Sequence, residues 1–157
     1  QLLDPKKIDK ELKQIKLDGE IITAINDEVP KKENVAEFFE CYNKLEKDII
    51  HIARHYVPEI AEQRQSGKPY IIRGLQVLSA RQIVNSNVIS LVDDLRKFRN
   101  ILAHGLECRV TDSRLNEVKQ VENAVGEIVE LLENKKEDTQ EWDDAIRRLY
   151  DIGGQRF

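Results

Sequence analysis

A chain of 157 residues is long enough for one domain with a sizeable core. Its formal net charge of −4 speaks against a protein that coats nucleic acid by bulk charge, and no apolar run approaches the length of a membrane span. Aromatic residues make up 6% and there are 4 Pro and 7 Gly, while Leu, Ile, Glu and Lys dominate, a composition that points to an all-helical protein.

Asp4-Pro5 opens the first expected helix, with Asp as N-cap and Pro at the first helical position. Ile8, Leu12, Ile15, Ile21, Ile22 and Ile25 mark its apolar side, and it stops before Val29-Pro30. The stripe is long and narrow, so residues 1–30 are expected to form a helical arm that packs on the rest or on a protein partner. Residues 31–157 are expected to form a helical bundle.

Asn34 to about Tyr56 reads as the second helix, with Val35, Phe38, Phe39, Tyr42, Leu45, Ile49, Ile50, Ile52 and Ala53 on a broad buried face. His51 and His55 stand four apart, a metal-ligand spacing, but without an adjacent Glu or a third ligand the expectation is a surface pair. A short helical turn follows Pro58. Ser66-Gly67-Lys68-Pro69 is a loop whose Gly-Lys pair lacks the rest of a phosphate-binding loop. A third helix is expected over 70–84, with Ile72, Leu75, Leu78 and Ile83 inward, and Asn85-Ser86-Asn87 as a turn or cap.

The next stretch, Leu91–Gly105, is the centre of the chain. Leu91, Val92, Leu95, Phe98, Ile101 and Leu102 recur at helical spacing, and Gly105 is a C-terminal stop. Three polar residues sit in this helix that packing does not require: Arg99, Asn100 and His104. Asn100 and His104 are four apart on one face, and Arg99 can reach the same spot. A fixed cation, an amide and an imidazole, a group that titrates near neutrality, can together hold a phosphate and move a proton. From residue 64 to 114 basic residues outnumber acidic ones nine to four, whereas the remainder carries −9, so the basic excess falls on the segment with these three residues.

Asp112 or Ser113 is expected to cap a long helix with Leu115, Val118, Val121, Val125, Ile128, Val129 and Leu132 inward. A last helix follows Asp138, where Asp138-x-x-Glu141 resembles a capping box. Trp142, Ile146, Leu149 and Tyr150 form its stripe, and Gly153-Gly154 is expected to terminate it. Cys41 and Cys108 are far apart, with no C-x-x-C pair, so free thiols and a cytoplasmic location are expected, with no metal and no cofactor. The chain starts at Gln1 and contains no Met, as expected of an excised domain or a processed product.

Arg99-Asn100-Ile101-Leu102-Ala103-His104 resembles the R-N-x-x-x-H signature of HEPN domains. The strict match covers six residues, and a looser one covers the helix from about Asn87 to Gly105. The resemblance implies an all-α, up-and-down bundle of five or six helices. It also implies a metal-independent RNA endonuclease in which the RNA 2′-hydroxyl attacks the adjacent phosphate. His104 would move the proton, Arg99 would stabilise charge on the phosphoryl oxygens, and Asn100 would orient the histidine or the phosphate. One chain supplies one copy of each group, so the resemblance further implies a homodimer with two motifs facing one groove. Some toxin-type members place Tyr two residues after the His, where this chain has Leu106. A second function class remains open: a non-catalytic HEPN-like module that binds a nucleotide or a protein. A mere packing helix would instead pair Arg99 with a surface carboxylate, expose Asn100 and leave His104 capping the helix end.

Overall fold

The computed structural model describes residues 29–62 and 70–155. The helical arm expected over residues 1–30 lies outside them apart from Val29 and Pro30, as does the loop at Ser66–Pro69. The described residues form five α-helices: α1 (Val35–Tyr56), α2 (Tyr70–Ala80), α3 (Ser86–Ala103), α4 (Asp112–Glu133) and α5 (Gln140–Gly154). Short 3-10 turns lie at Lys32–Asn34 and Pro58–Glu62. No β-strand occurs among the described residues, so the all-helical expectation holds.

Helix α1 is the spine. It packs on α4 along most of its length and on α2, while α5 lies between α4 and α3. The apolar positions explain this arrangement. Phe38, Tyr42, Leu45, Ile49, Ile52 and Ala53 bury one broad face of α1, too wide for a single neighbour. Leu115, Val118, Val121, Val125, Ile128 and Leu132 give α4 the matching stripe, and Val88, Leu91, Val92 and Leu95 anchor α3. The rings of Phe38 and Phe98 meet edge to face with centroids 5.3 Å apart, joining α1 to α3.

Several local expectations shift. The cap of α4 is Thr111, whose hydroxyl accepts from the Arg114 N–H at 3.1 Å; neither Asp112 nor Ser113 takes that role. The cap of α5 is likewise Thr139, accepting from Trp142 N–H, while Asp138 sits just before it at φ 61°. In α2, Ile71 is fully buried while Ile72, expected inward, is half-buried against the core, and Arg73 is buried with its guanidinium directed to the Ile60 carbonyl. Gly153 and Gly154 belong to α5, and Gly153 acts as a contact surface. A Cβ there would meet the backbone nitrogen and side chain of Val88 at 2.9 Å, so glycine lets α5 lie against the start of α3.

Three helices end the same way. After α2, α3 and α4 the chain turns through a left-handed residue: Gln82 (φ 61°), Gly105 (φ 71°) and Lys135 (φ 56°). In each, the next N–H reaches back five residues, as from Ile83 to Leu78, Leu106 to Ile101 and Lys136 to Leu131. Only the end of α3 uses the residue that adopts this conformation without steric penalty.

No helix among the described residues is long and apolar enough to cross a membrane.

Candidate functional site

Helix α3 is fixed at its start by Asn85, whose side chain accepts from the Val88 N–H at 3.0 Å. Its last turns carry Arg99 and Asn100, both half-buried, and His104, which is exposed and caps the helix. The His104 N–H donates to the Asn100 carbonyl at 3.0 Å. Ile101, expected inward, is 40% exposed, while its neighbour Leu102 is buried.

Arg99 and Asn100 line a cleft of about 180 Å³ with Tyr42 and Glu46 of α1, Tyr70 and Ile71 of α2, and Arg96 of α3. His104 is not among its lining residues. The structure therefore brings two of the three motif residues together and leaves the third one turn further on, in solvent. Two polar atoms in the cleft walls are buried without a hydrogen-bond partner: Arg99 Nε and Tyr42 Oη. Such orphans are uncommon, since a buried unsatisfied donor costs roughly 1–3 kcal/mol.

The charges around these atoms differ in how they are used. Arg96 is engaged by Asp93, at 3.0 Å from Nε and 2.9 Å from a terminal nitrogen. Burial tends to raise the Asp93 carboxyl, but hydrogen bonds from Arg96 and Lys97 outweigh it and hold the group below its ordinary value. Arg99 has its Cζ 5.8 Å from the centroid of the Phe39 ring, near the outer limit of a cation–π contact. Burial pushes the Tyr42 phenol far up, and the Glu46 carboxylate one turn along adds to the shift. The phenol is therefore a donor. Glu46 raises it both through its charge and as a hydrogen-bond acceptor at the edge of bonding geometry.

The segment after His104 is strapped down. Val110 and Lys31 exchange backbone hydrogen bonds at 2.9 Å, and the Asn34 amide donates to the Val110 carbonyl and to Asp112 Oδ1. Lys31 Nζ bonds the other Asp112 oxygen at 2.6 Å, and these donors hold the Asp112 carboxyl below its ordinary value. Glu107 turns onto its own loop, accepting from the N–H groups of Cys108 and Arg109, and takes no part in the cleft.

His51 and His55 each face a carboxylate at the end of α4 or just beyond it. Nε2 of His51 is 3.3 Å from Glu133, and Nε2 of His55 is 3.2 Å from Glu137. Among the described residues no group of three or more His, Cys, Asp or Glu side chains converges as a metal site would require. Cys41 is half-buried and Cys108 exposed, both free, and burial raises the Cys41 thiol.

Tyr42, Glu46, Arg96 and Tyr70 were not legible as site residues. Their only local signal is the four-residue spacing, Tyr42 to Glu46 on α1 and Arg96 to Asn100 to His104 on α3. Compared with family models, curated proteins and solved structures, the chain has no match. The functional argument therefore rests on residues and geometry.

Proposed function

We propose that this chain is a metal-independent RNA endonuclease of HEPN type, working as a homodimer. The observation that carries the reading is the cleft at Arg99 and Asn100, one turn before an exposed His104, with the Arg99 Nε buried and unpartnered. A phosphate held there would meet the Arg99 guanidinium and the Asn100 amide side by side, the donors its oxygens need.

In the proposed reaction His104 of one copy takes the proton of the RNA 2′-hydroxyl as O2′ bonds to phosphorus. The bond from phosphorus to O5′ breaks, and O5′ receives a proton from His104 of the second copy, which enters the cycle protonated. The products are a 2′,3′-cyclic phosphate and a 5′-hydroxyl end. Arg99 donates hydrogen bonds to the non-bridging oxygens as their charge grows, and Asn100 holds the phosphate in place. The pairing of two copies is supported by the position of His104 outside its own chain's cleft. It is supported too by Ile101 and Leu106, 40% and 77% exposed, which flank His104 and would be covered by a second copy.

Incubation of the protein with single-stranded and structured RNA in EDTA tests this. Cleavage yielding cyclic-phosphate ends is expected from the wild type and none from His104→Ala. Arg99→Ala should abolish cleavage, and Arg99→Lys should restore only part of what is lost, because lysine lacks the planar fork. Leu106→Glu should shift sedimentation toward a monomer and lose activity with it. Cleavage at an undiminished rate by His104→Ala would overturn the reading.

A further inference from the structure

Two arginines line the cleft, and only Arg99 enters the reaction above. Arg96 stands three residues earlier on α3, so the two share one side of the helix, a turn apart. Both guanidinium charges bear on the Tyr42 hydroxyl, where they work against the rise that burial and Glu46 impose. The Arg96 side chain is 21% exposed, so its donors are open to solvent, unlike the sealed Nε of Arg99. The lining residues carry these two cations against one carboxylate, that of Glu46, which serves the Tyr42 hydroxyl as an acceptor. The wall keeps an excess of positive charge, as an anionic ligand needs.

The way Asp93 holds Arg96 decides what Arg96 can do. One oxygen of Asp93 accepts from Nε at 3.0 Å and lies 2.9 Å from Nη2. These atoms form the side edge of the guanidinium. The end edge, made by Nη1 and the second N–H of Nη2, has no partner among the described residues. The other oxygen of Asp93 lies 3.1 Å from Lys97 Nζ, so the carboxylate is anchored from two sides. An arginine locked by its side edge and free at its end edge is pre-organised to donate to a pair of phosphate oxygens. Lys97 uses the same carboxylate but does not line the cleft.

We infer that Arg96 binds the phosphate next to the scissile one, so that Arg99 and Arg96 grip two successive phosphates of a single RNA strand along α3. The inference rests on the RNA reading above for its ligand. The order follows from the helix. Arg96 lies about 4.5 Å farther than Arg99 from His104 along the axis, so the phosphate it meets is the neighbour of the one on which His104 acts. Arg96 is thus a substrate-binding residue that takes no part in proton transfer.

The test measures binding of the full chain to a single-stranded 2′-O-methyl oligoribonucleotide, which lacks the attacking hydroxyl and stays intact, by fluorescence anisotropy at several salt concentrations. Arg96→Ala should raise the Kd about tenfold, as expected for one charge-assisted contact, and lower the slope of log K against log salt by about 0.7, the share of one phosphate on a single strand. Arg96→Lys keeps the charge and so the slope, but lacks two edges to serve Asp93 and a phosphate at once, and should lose about threefold in affinity. Lys97→Ala removes a cation from the same carboxylate outside the cleft and should leave the Kd within about twofold and the slope unchanged. On cleavable RNA, Arg96→Ala should raise KM and leave kcat within about threefold, since the contact is the same in ground and transition states. An unchanged slope in Arg96→Ala, or an equal loss in Lys97→Ala, would overturn the inference. The two readings fail separately: a nuclease whose Arg96→Ala form binds as tightly as the wild type loses the second phosphate contact and remains a nuclease, whereas Arg96-dependent binding by a protein that cuts no RNA supports the contact and removes the nuclease.

Discussion

Helix α1 presents polar groups on two faces, and the two are treated in opposite ways. Toward α4, Lys44 sits between Asp48, 3.3 Å away, and the carboxylate of Glu122, which is 7% exposed. One ammonium there serves two carboxylates, and neither carboxylate is left without a partner. Toward α3, two residues earlier in register, Tyr42 and Glu46 meet Arg99 and Asn100, and two donors are buried without partners. A satisfied buried network adds to specificity and stability, while an unsatisfied one lowers stability and persists where a ligand completes it. The difference separates a seam that holds the bundle together from a cleft that waits for something.

That contrast makes forecasts of unequal size. Lys44→Ala leaves Glu122 buried without its cation and should lower stability by about 1–2 kcal/mol, less than a fully buried pair because the lysine side chain is largely in water. Hydrogen bonding to Glu122 raises the Lys44 pKa above its ordinary 10.5. A raised cation stabilises fully below its unfolded pKa and loses that contribution as pH climbs through the folded value. Thermal unfolding of wild type and Lys44→Ala should therefore converge in strongly alkaline solution. A difference that stays constant there would mean that Lys44 acts by packing and not by charge.

A smaller effect is expected at the helix ends. Gln82→Gly and Lys135→Gly relieve left-handed conformations and should each stabilise by about 0.5–1 kcal/mol in denaturant titrations. Neither residue lines the cleft, so RNA cleavage should stay at the wild-type rate. A change in cleavage would show that stability and function are coupled across the bundle.

The smallest stability change belongs to the cleft. Tyr42→Phe removes a buried hydroxyl that has no partner and should move the unfolding free energy by no more than about 0.5 kcal/mol, toward stability if at all. A loss above 1 kcal/mol would show that the hydroxyl is satisfied in solution and would erase the contrast between the two faces.

Much of this architecture was readable from residue order, and the misreadings have physical causes. Periodicity located each of the five described helices, because their apolar stripes are continuous. The caps of α4 and α5 were read one residue off, because Thr111-Asp112-Ser113 and Asp138-Thr139 place several competent caps side by side, and the entry angle of the chain selects among them. The pair Gly153-Gly154 looked like a stop, yet its role depends on Val88, distant in sequence. The motif of Arg99, Asn100 and His104 was visible because one helix carries it. The partners that turn two of those residues into a cleft come from α1 and α2, and no local spacing predicts how those helices cross. The burial of Arg99 Nε, which distinguishes a site from a solvated arginine, is a tertiary fact.

The most direct test of the account is to measure stability and RNA cleavage together on Arg99→Met, a change that keeps an unbranched chain out to the position of Nε and removes the charge and donors. The account predicts unfolding within about 1 kcal/mol of wild type, since the lost contact with Phe39 is weak and the lost Nε has no partner, together with cleavage reduced at least about 100-fold. A protein that unfolds as readily as Lys44→Ala while cutting RNA at the wild-type rate would contradict it.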